Sequence, residues 1–236
     1  MKQTVINYAY VGDDMPSNYQ FIGSSSATKE ITPDILPMPN ETGLYQCLDI
    51  GFGRGELGRI LSLGHPHVIV DGIDAWEKTC NNPILRHYYR NVWHVNVMDL
   101  RPEFIKKYDY IFLMDVIEHF NPEDAVILIQ WLLMYMKDTA RLVVSTPLWF
   151  YPQGEVEPGD FEEHKCVAPL SSWLSLMPEF YNINPQDLVG MFVIGKKSLH
   201  LAHLFSASPN KDYTREMAET WIKQLGMKVD LRWHRS

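Results

Sequence analysis

The sequence predicts an α/β protein built on a mostly parallel sheet with helices on both faces. Strand-like runs alternate with helix-like segments from "YQCLDI" to "ARLVVSTP". Those runs are nearly continuous in apolar residues, as strands buried on both faces must be. In addition, "LDIGFGRGELG" (Leu48 to Gly58) places Gly51, Gly53, Gly55 and Gly58 directly behind the first strand. A sharp strand-to-helix turn there needs positive φ and close backbone approach.

Each element follows from local pattern. Residues 1–43 are rich in Pro, Ser, Asn and Gly, and "DDMPSNY", "GSSSATKE" and "PDILPMPNETG" interrupt any long period. With Tyr8, Tyr10, Tyr19 and Phe21 among them, they read as a lid or substrate-shaping segment packed across the main domain. "YQCLDI" is the first strand, and "GELGRILSLG" a short helix with Leu57, Ile60 and Leu61 at helical spacing. "HVIVDGID" is the second strand; Pro83 then limits any continuous helix in "AWEKTCNNPILRHYY". "VWHVNVMD" is the third strand, "PEFIKKY" a connector and "DYIFLMDV" the fourth strand. "NPEDAVILIQWLLMYM" is the longest helix, with Asn121 as N-cap and Pro122 at the first helical position. "ARLVVSTP" is the fifth strand.

Beyond it, "LWFYPQGEVEPGDFEEHKCVAP" is a loop of the length usually reserved for function. "LSSWLSLMP" is a short helix, and "FYNINPQDLVGMFVIGKK" an antiparallel hairpin at a sheet edge. The tail offers a helix, "KDYTREMAETWIKQLG", and a last strand, "MKVDLRW". The expected organisation is a core over 44–197, preceded by the 1–43 segment and followed by a 198–236 extension of the same domain.

The whole chain bounds the function. Its 236 residues are 46% apolar and 21% charged, an ordinary globular mixture. A net charge of -8 disfavours a nucleic-acid partner, which is gripped through clustered Lys and Arg. No stretch reaches the roughly 20 apolar residues of a membrane span, and "MKQTVINYAY" lacks a basic start and an apolar signal core. A cytoplasmic protein with no membrane partner is expected. Its three widely spaced cysteines read as free thiols.

The glycines admit two readings. From Gly53 they spell G-x-G-x-x-G, the dinucleotide fingerprint. From Asp49 they spell D-x-G-x-G-x-G, with an acid at the strand end. A carboxylate repels a pyrophosphate and attracts a cationic amino acid. Asp74 at the end of the second strand can accept from both ribose hydroxyls of any adenosine, so it does not choose between the two. Asp99 and Asp115 end the third and fourth strands. Four strand-end acids favour a cationic cofactor.

In that order and spacing, "LDIGFGRGELG", "VDGIDAWEK", "NVMDL", "YDYIFLMDVIEHF" and "LVVSTP" resemble the class I S-adenosylmethionine-dependent methyltransferases. The likeness is greatest to the small-molecule branch whose fourth strand ends in D-V-x-E-H, and it runs from about Leu44 to Lys197. It implies a Rossmann-like seven-stranded sheet of order 3-2-1-4-5-7-6 with strand seven antiparallel. It also implies that Asp49, Gly51, Phe52, Gly53 and Gly55 line the methionine end of S-adenosylmethionine. Asp74, with Ala75 beside it, would hold the ribose; Met98 and Asp99 would flank the adenine; and Asp115 would lie beside the methionine moiety.

Methyl transfer from a sulfonium is an in-line displacement that depends chiefly on orientation. A base is needed only for a hydroxyl or a protonated amine, and His119, just past the fourth strand, is the catalytic candidate. The competing role is a cap or packing beneath the loop. His164 in the long loop is a candidate for substrate contact or a solvated histidine, and Trp149 and Tyr151 a candidate acceptor wall or a self-burying cluster. Asp115, Glu118, His119 and His164 all have metal-ligand side chains, but three already have other readings, so no metal is expected. The expected function is methyl transfer to O or N of a small-molecule acceptor. The alternatives are an NAD(P)-dependent reductase and a non-catalytic scaffold that binds S-adenosylmethionine, and a homodimer through the C-terminal extension is a further expectation.

Overall fold

Strand β1 (Tyr45–Ile50) lies inside a seven-stranded sheet, paired in parallel with β2 (Val68–Asp74) on one side and β4 (Tyr110–Met114) on the other. The other strands are β3 (Asn91–His94), β5 (Arg141–Pro147), β6 (Phe180–Asn184) and β7 (Val189–Gly195), and the order is β3-β2-β1-β4-β5-β7-β6. β7 runs antiparallel to both β5 and β6. The computed structural model describes residues 27–36, 44–65, 67–155, 157–185, 187–196, 220 and 223–224. The chain forms two compact units, Met1–Leu199 and His200–Ser236. Thr220, Lys223 and Gln224 in the second are helical; the rest of the expected tail helix, the last strand and Tyr8, Tyr10 and Tyr19 lie outside the described residues. Among those described, no helix is long and apolar enough to cross a membrane.

The period-2 alternation of the strands sorts the core into two layers. Leu48, Ile111, Leu113 and Val144 point to one face, where Ile105 of α4 (Pro102–Ile105) and Leu128, Leu132 and Leu133 of α5 (Pro122–Tyr135) cover them. Cys47, Phe112 and Val143 point to the other, under Leu57 and Leu61 of α2 (Glu56–Gly64). The short α1 (Thr32–Ile35) packs on α2, and the turn before it, Ala27–Lys29, reaches β6 and β7.

Two local expectations are corrected, and one, the break in the helix at Pro83, is borne out. The third strand stops at His94, and Val97–Asp99 is a 3-10 turn. The Asn96 side-chain oxygen accepts from the Met98 N–H at 3.0 Å, offering the backbone a turn in place of a ladder bond. The segment around Pro83 is α3 (Glu77–Cys80) followed by a 3-10 turn, Pro83–His87, capped by the Asn82 side chain on the Ile84 N–H at 3.1 Å. Asn121 occupies the N-cap position of α5, but its side chain makes no capping bond.

The switch in strand order lies between β1 and β4, where the chain leaves one half of the sheet for the other. Open α/β sheets bind ligands in the crevice at this point, beyond the carboxyl ends of the strands.

Candidate functional site

The turn from β1 into α2 forms the floor of the crevice. Gly51, Gly53 and Gly55 have φ of 70°, 53° and 81°. At Gly53 this left-handed backbone turns the N–H onto Asp74 Oδ2 at 2.9 Å, and nothing lies within 4 Å of where a Cβ would stand. The loop is therefore open at that residue. Asp74 ends β2, and its Oδ1 accepts from the Trp76 N–H at 2.8 Å. Burial raises the Asp74 carboxyl above the ordinary carboxylate range, and the two N–H donors offset part of that rise.

Asp49 is only 2% exposed. Burial raises its carboxyl to about 6, against the pull of a hydrogen bond from Tyr89. The Tyr89 hydroxyl donates to Asp49 Oδ2 at 2.6 Å and accepts from the Gly58 N–H at 3.1 Å. Because Gly55 at the N-cap has no side chain to offer, Tyr89 satisfies one of the orphan donors at the start of α2. A Cβ on Gly58 would meet the Tyr89 ring at 2.2 Å, so this glycine makes room for the tyrosine. Tyr89 was not identifiable from sequence spacing. The Phe52 ring is 5% exposed and packs on Tyr89 with centroids 5.4 Å apart. Its side chain thus belongs to the core, and what Phe52 can offer a ligand is backbone.

Asp115 follows β4 directly, with φ of 58°. Ser145 Oγ of β5 donates to its Oδ1 at 2.7 Å, and Lys29 Nζ lies 3.4 Å from its Oδ2. Both side chains of that ion pair are largely buried. The same ammonium lowers the carboxyls of Asp49 and Glu118 through space, so the 27–36 segment delivers a cation into the acidic crevice.

The next turn, Ile117–His119, carries the second half of the site. The Glu118 carbonyl accepts from the Lys165 and Cys166 N–H groups at 2.8 and 3.1 Å, which fastens the long loop to this turn. The loop thereby brings His164 to His119, with ring centroids 4.9 Å apart. His119 Nδ1 meets the Glu163 carbonyl at 3.2 Å, and the Asp115 carbonyl also faces the ring. Burial, then the neighbouring His164, push His119 down to about 4. His164 Nδ1 meets the Tyr151 carbonyl at 2.8 Å, and burial lowers this imidazole too. Glu118 is 2% exposed, and Thr146 Oγ1 donates to its Oε2 at 3.1 Å. Burial, then Asp115, raise its carboxyl to about 8. One ligand atom from each of Glu118, His119 and His164 lies within 4.8 Å of the other two, so these three could hold a metal ion.

Tyr151 stands edge-on to His164 at 5.9 Å and to Trp149 at 5.5 Å. At 47% and 44% exposure, Tyr151 and Trp149 form an open aromatic face instead of a buried cluster. Ala75 presents its carbonyl to His94 Nε2 at 3.0 Å. Met98 is 40% exposed and Asp99 is exposed, both on the turn after β3. Asp99 is therefore not a strand end; the strand-end acids at the crevice are Asp49, Asp74 and Asp115.

No protein-family model and no curated protein matches the chain. Solved structures do match. The mitomycin 7-O-methyltransferase is 16% identical over 71% of this chain and 52% of its own, with a TM-score of 0.52. A "putative O-methyltransferase" from Nostoc punctiforme is 14% identical over 70% of this chain and 55% of its own, with a TM-score of 0.50. The chain spans about half the length of these proteins. With strand order β3-β2-β1-β4-β5-β7-β6 and β7 antiparallel, it has the Rossmann-like fold of the class I methyltransferases.

Proposed function

We propose that the chain binds S-adenosylmethionine and directs its methyl group to an oxygen or nitrogen of a small-molecule acceptor. The observation that carries this is the convergence of Asp49, Asp74 and Asp115 on the ends of three adjacent strands, β2, β1 and β4, over an open glycine turn. Carboxylates so placed attract an ammonium and a sulfonium and repel a pyrophosphate, which weighs against an NAD(P)-dependent reductase. The fold shared with the mitomycin 7-O-methyltransferase supports the same reading.

The residues fit such a ligand. Asp74 accepts the Gly53 and Trp76 N–H groups, one on each oxygen, and has the Thr79 side chain as a third partner, so a carboxylate with about four acceptor positions keeps one for a ribose hydroxyl. Asp49, Gly51, Gly53, Gly55 and the backbone of Phe52 line the methionine end with Asp115, while Ala75 stands beside the ribose and Met98 and Asp99 beside the adenine. Lys29 holds Asp115 in the structure, so an incoming ammonium exchanges with it or shares that carboxylate.

When bound, the cofactor supplies a methyl carbon on sulfur, which the acceptor's lone pair takes in line while the C–S electron pair stays with sulfur. The chain's part is to orient and to exclude water. Trp149 and Tyr151 wall the acceptor, His164 contacts it, and His119, neutral at pH 7, turns a lone pair toward its O–H or N–H.

Calorimetric titration with S-adenosylhomocysteine and with NADH tests the reading. Micromolar binding of the first and none of the second is expected; the reverse overturns it. A protein that binds S-adenosylhomocysteine but transfers no methyl group to any of a panel of hydroxyl and amine acceptors is the scaffold alternative. With an acceptor in hand, H119A keeps cofactor affinity and loses turnover.

A further inference from the structure

We propose that Glu118, His119 and His164 form a site for one first-row divalent cation, which presents an acceptor hydroxyl to the methyl donor. The inference rests on the methyl-transfer reading, narrows it to oxygen acceptors, and has His119 and His164 reach the acceptor through the cation in place of direct contact.

The geometry comes first. The three side chains belong to two distant segments, the turn after β4 and the long loop, yet one ligand atom of each lies within 4.8 Å of the others. Ligands of a single ion at about 2.1 Å stand roughly 3 to 3.5 Å apart, so closing on an ion takes shifts of about an ångström. Side-chain torsions supply that without moving the backbone. The loop that carries His164 is fastened to the turn by two bonds to the Glu118 carbonyl, so the grouping is built into the chain trace.

The hydrogen bonds point the same way. A carbonyl only accepts, so the ring atom facing one must be an N–H. His164 Nδ1 faces the Tyr151 carbonyl and His119 Nδ1 faces the Glu163 carbonyl. In the neutral imidazole the His164 Nε2 then holds the lone pair; the His119 ring also faces the Asp115 carbonyl, and its Nε2 is the ligand atom when Nδ1 serves both carbonyls. A backbone carbonyl on the far ring nitrogen is the usual support of a metal-bound histidine, fixing both tautomer and ring direction. Glu118 is oriented likewise: Thr146 donates to Oε2, and the carboxylate retains acceptor positions on Oε1.

Two imidazoles and one carboxylate suit zinc, iron(II), cobalt(II) or manganese(II) better than magnesium, which prefers an all-oxygen shell. Three protein ligands leave coordination positions open, as catalytic sites require. An acceptor hydroxyl bound there is acidified by the ion. Its proton passes to solvent water, its oxygen lone pair forms the new C–O bond, and the C–S pair remains on S-adenosylhomocysteine.

The test uses the full chain stripped with a chelator. Zinc is titrated in competition with a chromophoric chelator, and S-adenosylhomocysteine is titrated separately by calorimetry. One equivalent of zinc is expected in the wild type. H164A and E118Q should each weaken it by about 100-fold or more, given that even supporting partners are worth about 10- to 100-fold, with affinity for S-adenosylhomocysteine unchanged. His164 is a loop residue and Gln retains the bond from Thr146, so both variants should fold. Substoichiometric zinc in the wild type, or wild-type zinc affinity in both variants, overturns the site while leaving the methyl-transfer reading intact. Stoichiometric zinc without affinity for S-adenosylhomocysteine overturns the methyl-transfer reading and the role given to the cation, while the site stands.

Discussion

Removing one oxygen, in Y89F, tests the account of the crevice floor. The Tyr89 hydroxyl makes two buried hydrogen bonds, donating to Asp49 at 2.6 Å and accepting from the Gly58 N–H at 3.1 Å. A hydrogen bond to a charged acceptor contributes about 1.5–3 kcal/mol, and a helix-start donor left unsatisfied costs about 1 kcal/mol. The expected loss at pH 7.5, where Asp49 is ionised, is therefore about 2.5–4 kcal/mol. Asp49 has a folded value of about 6, above its unfolded value. Its titration thus favours the fold below the unfolded value, and that contribution is lost as pH rises through about 6. The Tyr89 bond works against this by favouring the ionised form. Below the folded value the acid is neutral and the bond falls to about 1 kcal/mol, so the loss at pH 4.5 should be about 2 kcal/mol. Urea unfolding of wild type and Y89F at both pH values measures the difference. A loss under about 1 kcal/mol at pH 7.5, or equal losses at both, would refute the reasoning.

Other substitutions probe neighbouring contacts. G58A drives a methyl into the Tyr89 ring and should cost about 3 kcal/mol in urea unfolding, at the upper end of overpacking penalties. K29M removes the partner of a largely buried Asp115 and should cost about 3 kcal/mol, with D115N in the same background recovering part of it. If K29M is neutral, the ion pair does not hold the 27–36 segment. D74A should weaken S-adenosylhomocysteine by at least tenfold, about 1.4 kcal/mol; unchanged affinity removes Asp74 from the ribose.

The sequence by itself determined the sheet and the floor of the crevice. Apolar runs such as Tyr110–Met114 can only be strands buried on both faces, and the glycines from Gly51 to Gly55 only suit a sharp turn. These are local properties, carried by period and by backbone freedom within a few residues. Where a side chain competed with the backbone, as Asn96 does, the period misled: "VWHVNVMD" reads as one strand, yet only its first three residues are strand.

Tertiary structure alone decided the polar contacts. Tyr89 reaches Asp49 across forty residues, and nothing in the spacing of either announces the other. Lys29 meets Asp115 only because residues 27–36 bring it to the crevice. His119 and His164, which the sequence names with Asp115 and Glu118 by side-chain type alone, come together with Glu118 because the loop is bonded to the turn after β4. Strand periodicity records which face a residue takes, but which acids, hydroxyls and imidazoles meet depends on strand order and loop path, and those are set by the packing of the whole chain.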